Sequence, residues 1–252
     1  MDVVGDIAIL GPKGEGKGGT KRLAKALLEQ LPNVKCVFEQ EGAIEGEFRL
    51  RRLRHLAGER RTLTVHRESG CSFKVDVRRC YFSPRLSTER LRLANAVRRS
   101  ERVLNMFAGV GPFSIVIAKK SGARVTSCEL NSYACRLHEE NVRLNKVGDI
   151  VEVLNADASE VRKRLEGRYD RVLMPHPSAS DRFLPEALSM ASRGGLVHYY
   201  RHVLGRSEAE AAGNLKAELA GLLPAGCTYE TRRVREVGPR WVEMAADIRV
   251  GG

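Results

Sequence analysis

The sequence lacks the marks of a membrane protein, of an oxidising compartment and of a zinc protein. No apolar stretch reaches the roughly 18 residues that a membrane helix needs, and the N-terminus, Met1 to Asp6, has no basic segment leading into an apolar one. The six cysteines (36, 71, 80, 128, 135 and 227) form no Cys-x-x-Cys pair. Cys128 and Cys135 are seven apart, with no histidine pair nearby to complete a zinc set. They read as free thiols, so an untargeted cytoplasmic protein with no membrane contact and no metal is expected. Acidic residues are in deficit, 31 Asp+Glu against 43 Lys+Arg, for a net charge of +12. Such a field draws polyanions, of which nucleic acid is the commonest. At 252 residues the chain has room for one large domain or two modest ones.

Residues 3–10 read as a strand, followed by a Gly/Lys loop at 11–20, a helix from about 21 to 31 and a second strand at 34–38. Thr62–His66 and Cys71–Val77 alternate like hairpin strands around Ser69-Gly70. Residues 86–99 read as a connecting helix. Beyond it strands and helices alternate: strands at 103–104, 124–129, 151–154, 169–174 and 196–201, helices at 112–121, 132–146, 158–165, 181–192 and 207–222. Tyr229–Val237 and Trp241–Val250 suit a closing antiparallel hairpin. The expected fold is α/β: a small α/β RNA-binding domain over 1–96, then a Rossmann-like domain over 97–252.

The most informative run is Asn105-Met-Phe-Ala-Gly-Val-Gly-Pro-Phe113, a glycine loop between an apolar strand and a helix. Such a loop brings backbone close to a ligand and aims helix N–H groups at it. Gly109-Val-Gly111 is shorter than a dinucleotide fingerprint, which argues against hydride transfer. Twenty residues on, Glu129 closes a strand where its carboxylate can accept both hydroxyls of a ribose. A further 28 on, Asp157 is placed to accept from an adenine amino group. The three strand ends together specify S-adenosylmethionine, with Phe107, Gly109, Gly111, Glu129 and Asp157 as its contacts.

Gly11-Pro-Lys-Gly-Glu-Gly-Lys17 imitates a nucleoside-triphosphate loop. That chemistry needs a hydroxyl on Mg²⁺ directly after the lysine, and position 18 is glycine. A basic loop beside a phosphate backbone is the better reading.

Arg49, Arg51, Arg52, Arg54, Arg60 and Arg61 crowd one stretch, either as a solvated face or as forks for phosphates and guanine edges. Tyr81-Phe-Ser-Pro-Arg-Leu-Ser-Thr-Glu-Arg90 offers an aromatic to stack on an unstacked base and a carboxylate, Glu89, which is otherwise an ordinary first-turn helix acid. These segments, with Asp2–Ile9, Glu45–Arg49, His66–Cys71, the glycine loop, His198-Tyr-Tyr200 and Val234–Pro239, resemble the archaeal and eukaryotic tRNA (guanine-37-N1)-methyltransferases over essentially the whole chain. The wybutosine-pathway aminocarboxypropyltransferase shares that scaffold.

The resemblance implies methyl transfer from S-adenosylmethionine to N1 of guanine 37 in the anticodon stem-loop of tRNA, by a monomer. It makes Glu89 the general base and Arg49 the holder of the target guanine, with Tyr81 and Pro177 shaping the pocket. It puts Arg90 beside the cofactor, as it does Leu130 and Ala158. A base taking the N1 proton as the methyl arrives is worth roughly 10²–10⁴-fold, and an arginine on O6 steadies the charge that develops there. The chain departs from the family in three ways. Asn105 stands where an aspartate is usual, which softens an acidic anchor. Pro175-His176-Pro177 replaces Asn-Leu-Pro, so position 175 has no amide for the guanine, and His176 is either a replacement donor or a solvent-facing loop histidine. The sequence also begins at what is the second domain of longer members, which leaves tRNA affinity to the remaining charge. These departures keep two alternatives open: aminocarboxypropyl transfer, and a basic RNA-binding protein without catalysis.

Overall fold

The computed structural model describes residues 1–11, 17–42 and 46–251, with the main chain alone over 17–19. The triphosphate-loop look-alike falls largely outside these residues, as does Glu45.

The apolar run at 3–10 is two strands rather than one. Gly5 takes φ 56° and turns β1 (Asp2–Val4) back antiparallel onto β2 (Ile7–Leu10). A Cβ at Gly5 would come within 2.2 Å of the Thr64 hydroxyl, so the position requires glycine. Helix α1 (Lys17–Gln30) crosses over to β3 (Cys36–Gln40), parallel to β2, and β4 (Leu53–Gly58) adds antiparallel to β3. Strand β4 hides inside the basic run. It is an edge strand, with Leu53 buried and Arg54 and His55 half-exposed, and charged residues on an edge discourage unwanted pairing.

Strands β5 (Leu63–Glu68) and β6 (Cys71–Asp76) form a separate ribbon, turned by Ser69 and Gly70, both with positive φ. The ribbon is docked by two asparagines of the later helix α4 (Ser132–Asn145). Asn145 exchanges hydrogen bonds with the Ser72 main chain (2.9 and 2.7 Å), and Asn141 with that of Lys74 (2.7 and 3.1 Å). Asn141 also donates to the Val110 carbonyl at 2.9 Å, so one buried amide ties the ribbon to the glycine loop. A short 3₁₀ turn (Pro84–Leu86) then leads into α2 (Ser87–Ala96).

From there the chain builds β7 (Arg102–Asn105), α3 (Pro112–Ser121), β8 (Arg124–Glu129), α4, β9 (Val151–Asn155), a 3₁₀ turn (Ala158–Glu160), α5 (Val161–Arg164) and β10 (Tyr169–Met174). It continues through α6 (Ser180–Met190), β11 (Ala191–Leu204), α7 (Glu208–Leu222), β12 (Thr228–Gly238) and β13 (Trp241–Arg249). The seven strands are ordered β12-β13-β11-β10-β7-β8-β9, parallel from β11 to β9, with the final hairpin antiparallel. This is the Rossmann-like arrangement expected. The chain runs outward from β7 through β8 to β9, then returns to place β10 on the other side of β7. The loops after β7 and β10 therefore meet at the switch point, where such sheets bind ligands.

One core cluster runs from Ile7 and Phe38 of the first sheet through Phe73 and Leu93 to Ile115, Leu173 and Ala245. The first 96 residues thus share a continuous apolar core with the rest. Among the described residues no helix is long and apolar enough to cross a membrane, and no cluster of His, Cys, Asp or Glu is placed to hold a metal.

Candidate active site

The carboxyl ends of β7, β8, β9 and β10 surround a cavity of about 300 Å³, roofed by the segments around Arg49 and Tyr81. Pro112 at the first position of α3 makes a sharp helix start. Just before it, Gly109 at φ 57° turns its amide onto Glu129 Oε2 at 2.7 Å. Glu129 Oε1 accepts from the Asn131 amide at 2.8 Å. Burial pushes the Glu129 carboxyl pKa up, against the pull of those amides. A recessed carboxylate with two amide partners and lone pairs to spare suits a ligand that brings hydroxyl donors. Leu130, 36 % exposed, sits on the cavity lip beside it. Asp157 caps the short turn after β9, its Oδ1 accepting from the Ser159 amide at 2.7 Å, and that bond holds its pKa below the usual range. Ala158 completes this wall, and Phe107 forms the opposite one, packed on Phe183 and His176 at ring-centroid distances of 5.3 and 5.1 Å.

The roof is an aromatic–cation pair. Arg49, in the left-handed region at φ 51°, lays its guanidinium 4.4 Å from the centre of the Tyr81 ring. Phe48, 42 % exposed, lines the mouth. Arg90 also borders the cavity, but its fork is already filled. Its Nε and Nη2 donate to Glu68 of β5 and Nη2 also reaches the Ser83 carbonyl at 3.1 Å, leaving the side chain 1 % exposed. Arg90 thus clamps α2 to the ribbon and presents only its flank to a ligand.

Of the residues the sequence assigns, the structure brings together Arg49, Tyr81, Arg90, Phe107, Gly109, Glu129, Leu130, Asp157 and Ala158, and leaves Glu89, Gly111 and Pro177 outside the lining. Gly111, at φ 89°, packs against the ring of His138. Pro177 is buried behind the wall that Pro175 and His176 form. Glu89 is buried in an ionic network. Its Oε1 accepts from Tyr200 Oη at 2.6 Å and from Arg232 and Arg92, and its Oε2 from Arg92 at 2.9 Å. Burial raises its pKa, yet these donors outweigh it and hold the carboxyl below the usual glutamate range.

Asn105 does not line the cavity either. It is fully buried, donates to Ser114 Oγ at 3.0 Å and accepts from the Phe107 amide at 3.3 Å, bracing the loop from behind. Half of the arginine cluster is consumed in folding: Arg51 pairs with Asp2 (2.8 Å), Arg54 with Glu39 and Glu41, and Arg61 with Asp6 and Glu59. Arg52 and Arg60 stay exposed with no ion pair among the described residues. Sequence reasoning missed Glu68, although it lies inside the His66–Cys71 motif. It also missed Arg235, whose guanidinium reaches Ser83 Oγ, 152 residues away, at 3.1 Å and Glu243 on the neighbouring strand at 2.6 Å.

Comparison with known proteins agrees with this geometry. Residues 64–216 match the TRM5/TYW2 methyltransferase domain, and residues 2–62 match the TYW2 N-terminal domain. The chain is 39 % identical to the tRNA (guanine(37)-N(1))-methyltransferase Trm5b of Pyrococcus abyssi, over 99 % of this chain and 74 % of the relative. Among solved structures, a complex of aTrm5 with tRNALeu superimposes with a TM-score of 0.85 at 34 % identity, over 99 % of this chain and 71 % of that one. Trm5 from Methanocaldococcus jannaschii in complex with adenosine gives a TM-score of 0.81 at 33 % identity, over 100 % and 72 %.

Proposed function

The chain belongs to the TRM5/TYW2 methyltransferase family, and from that premise we infer that it is an S-adenosylmethionine-dependent tRNA (guanine-37-N1)-methyltransferase. The observation that carries the reading is one cavity with two halves. A nucleoside-sized cradle (Gly109, Glu129, Asp157) opens directly onto a stacking and cationic roof, Tyr81 and Arg49.

S-adenosylmethionine supplies a methyl on a sulfonium, so breaking its C–S bond leaves a neutral thioether. Glu129 would accept hydrogen bonds from the ribose hydroxyls and Asp157 from the adenine amino group, with Leu130, Ala158 and Phe107 supplying the apolar walls. Tyr81 stacks on the extruded base, and Arg49 donates to O6, where negative charge builds. Guanine N1 forms the new bond to the methyl carbon and gives up its proton to Glu89. The network around Glu89 sets a condition on that role, because the bound base must compete with Tyr200, Arg232 and Arg92 for a carboxylate oxygen. Residues 1–96, with the exposed Arg52 and Arg60, present the RNA surface, and 97–252 the cofactor. We place the reaction in the cytoplasm, on a monomer. The free state of all six cysteines agrees with a reducing compartment.

A tRNA transcript with guanine 37, incubated with enzyme and S-adenosylmethionine, is expected to gain one methyl per molecule. A transcript with adenine 37 is expected to gain none. The match of residues 2–62 to the TYW2 N-terminal domain favours one competitor, aminocarboxypropyl transfer. Mass analysis of the modified nucleoside separates the two, and a larger adduct sinks methyl transfer. Glu129→Gln keeps the shape of the cradle but loses the charge that strengthens its hydrogen bonds. It is expected to raise the cofactor dissociation constant by about 10- to 100-fold, read by titration calorimetry.

A further inference from the structure

Strands β11 and β13 run past the end of the sheet on the cavity side. Strand β10 stops at Met174, opposite Tyr199, but β11 continues through Tyr200 to Leu204, with Trp241 as its last partner. At about 3.3 Å per residue the extension stands roughly 16 Å beyond the carboxyl end of β10. Its tip is tied down: the Gly205 amide donates to the Arg240 carbonyl at 2.8 Å, closing the turn onto the end of β11. Trp241, the one tryptophan of the chain, is 46 % exposed there. Alternation along the strand fixes the face it shares. Glu243, two residues on, lies on that face and accepts from Arg235 at 2.6 Å, and Arg235 in turn donates to Ser83 Oγ of the cavity lining at 3.1 Å. Trp241 is thus about 7 Å along the strand from a group that abuts the cavity. Around it Arg206, Arg233 and Arg240 line a recess of about 210 Å³. Of the two carboxylates in that recess, Glu208 and Glu236, the second is paired with Arg233 at 3.1 Å.

We propose that Trp241 is a stacking platform for an unpaired nucleotide near the acceptor guanine, with Arg206 and Arg240 on the adjoining phosphates, an assignment that rests on the methyltransferase reading above. Extruding one base unstacks its neighbours, and an exposed indole offers such a neighbour a π-face whatever its identity. Neither Trp241 nor the recess has a part in the reaction just described, so what they add is grip on the RNA. A tryptophan among arginines also suits a protein partner. The net charge of +12 and the place of Trp241 on the cavity side of the sheet favour RNA.

Because the chain has no other tryptophan, its indole emission reports this site alone. Titration with an anticodon stem-loop is expected to quench that emission, and titration with the stem as a blunt duplex to leave it unchanged. Trp241→Ala is expected to raise the stem-loop dissociation constant by about 5- to 100-fold, and Trp241→Phe to recover most of that loss. Arg240→Gln is expected to lower the salt slope of binding by about 1. Melting temperature, cofactor affinity and the single-turnover rate at saturating RNA are expected to hold in Trp241→Ala. Equal quenching by the duplex, no quenching by the stem-loop, or a Trp241→Ala dissociation constant within twofold of wild type overturns the proposal. So does emission that changes with protein concentration alone, which would mark the patch as a contact between copies. Failure of the wild-type enzyme to methylate the transcript counts against the reaction instead, and the quenching result still decides the role of Trp241.

Discussion

Replacing Glu89 by glutamine is expected to slow single-turnover methyl transfer by about 10²–10⁴-fold, while tRNA and cofactor dissociation constants stay within a few-fold of wild type. Glutamine is the informative substitution because it keeps the side chain's shape and an oxygen that accepts from Tyr200 while removing the basic oxygen pair. The melting temperature should fall as well, because Arg92 and Arg232 lose the carboxylate they share and keep only Asp247, at 3.4 and 2.9 Å. A structural role alone predicts that fall and no more. Loss of stability with an unchanged single-turnover rate would therefore remove Glu89 from the chemistry and leave it as the clamp of α2.

That network also fixes the direction of the acid response. His198, fully buried, shares a 2.6 Å hydrogen bond with Asp247, and burial lowers its pKa despite that partner. The carboxyl of Asp247 is pushed up by burial but held far below its ordinary value by His198, Arg232 and Arg92. Both Glu89 and Asp247 are thus depressed in the folded state. Their contribution is complete above their unfolded values, near pH 4–4.5, and is lost as pH falls through the folded ones. Near neutrality Glu89 is ionised, which a proton acceptor requires.

How much of this was legible beforehand varies with the physical signal. The strand–loop–helix repeats from Arg102 onward were readable because each buried parallel strand is a short apolar run closed by a helix start. The bounds of Arg124–Glu129 and Tyr169–Met174 are those the pattern predicts. The gathering of Gly109, Glu129 and Asp157 around one cavity was readable for the same reason, since they sit at strand ends whose spacing is local information. The first 60 residues were harder. Gly5 breaks an apolar alternation that continues on both sides, and β4 is an edge strand whose charged face conceals its period. What no local pattern reveals is how a charge is spent. Six arginines close in sequence read as one basic surface, but Asp2, Glu39 and Asp6 reach three of them only through the fold. The partners of Glu89 lie 111 and 143 residues away at Tyr200 and Arg232, which is why a candidate base emerges tethered behind the cavity instead of in its wall.

Gly111→Ala is expected to be strongly destabilising. At φ 89° an L side chain strains the backbone, and the added Cβ would lie 2.1 Å from Cδ2 and 2.3 Å from Nε2 of His138. The ring has nowhere to go, because it is fully buried in α4 and neither nitrogen has a hydrogen-bond partner. Left-handed strain of about 1–2 kcal/mol and overpacking of about 1–3 kcal/mol give roughly 2–5 kcal/mol. At about 2–4 °C per kcal/mol for a chain of this size, the melting temperature should drop by roughly 4–20 °C. The two causes separate in the double variant: Gly111→Ala with His138→Ala relieves the overpacking but keeps the strain, so the second substitution should cost less there than in the parent. Strict additivity of the two losses would show that the ring and the glycine do not meet. His138 adds a pH signature of its own. Burial lowers its pKa from 6.5 to about 3, so the unfolded chain binds the extra proton first. Its neutral burial therefore costs stability as pH falls from about 6.5 toward 3. His138→Leu should flatten that part of the profile without touching the carboxylate-driven loss at lower pH. The second glycine of the loop thus acts at one remove, by letting α3 start tightly against α4 so that Gly109, two residues earlier, lines the cavity.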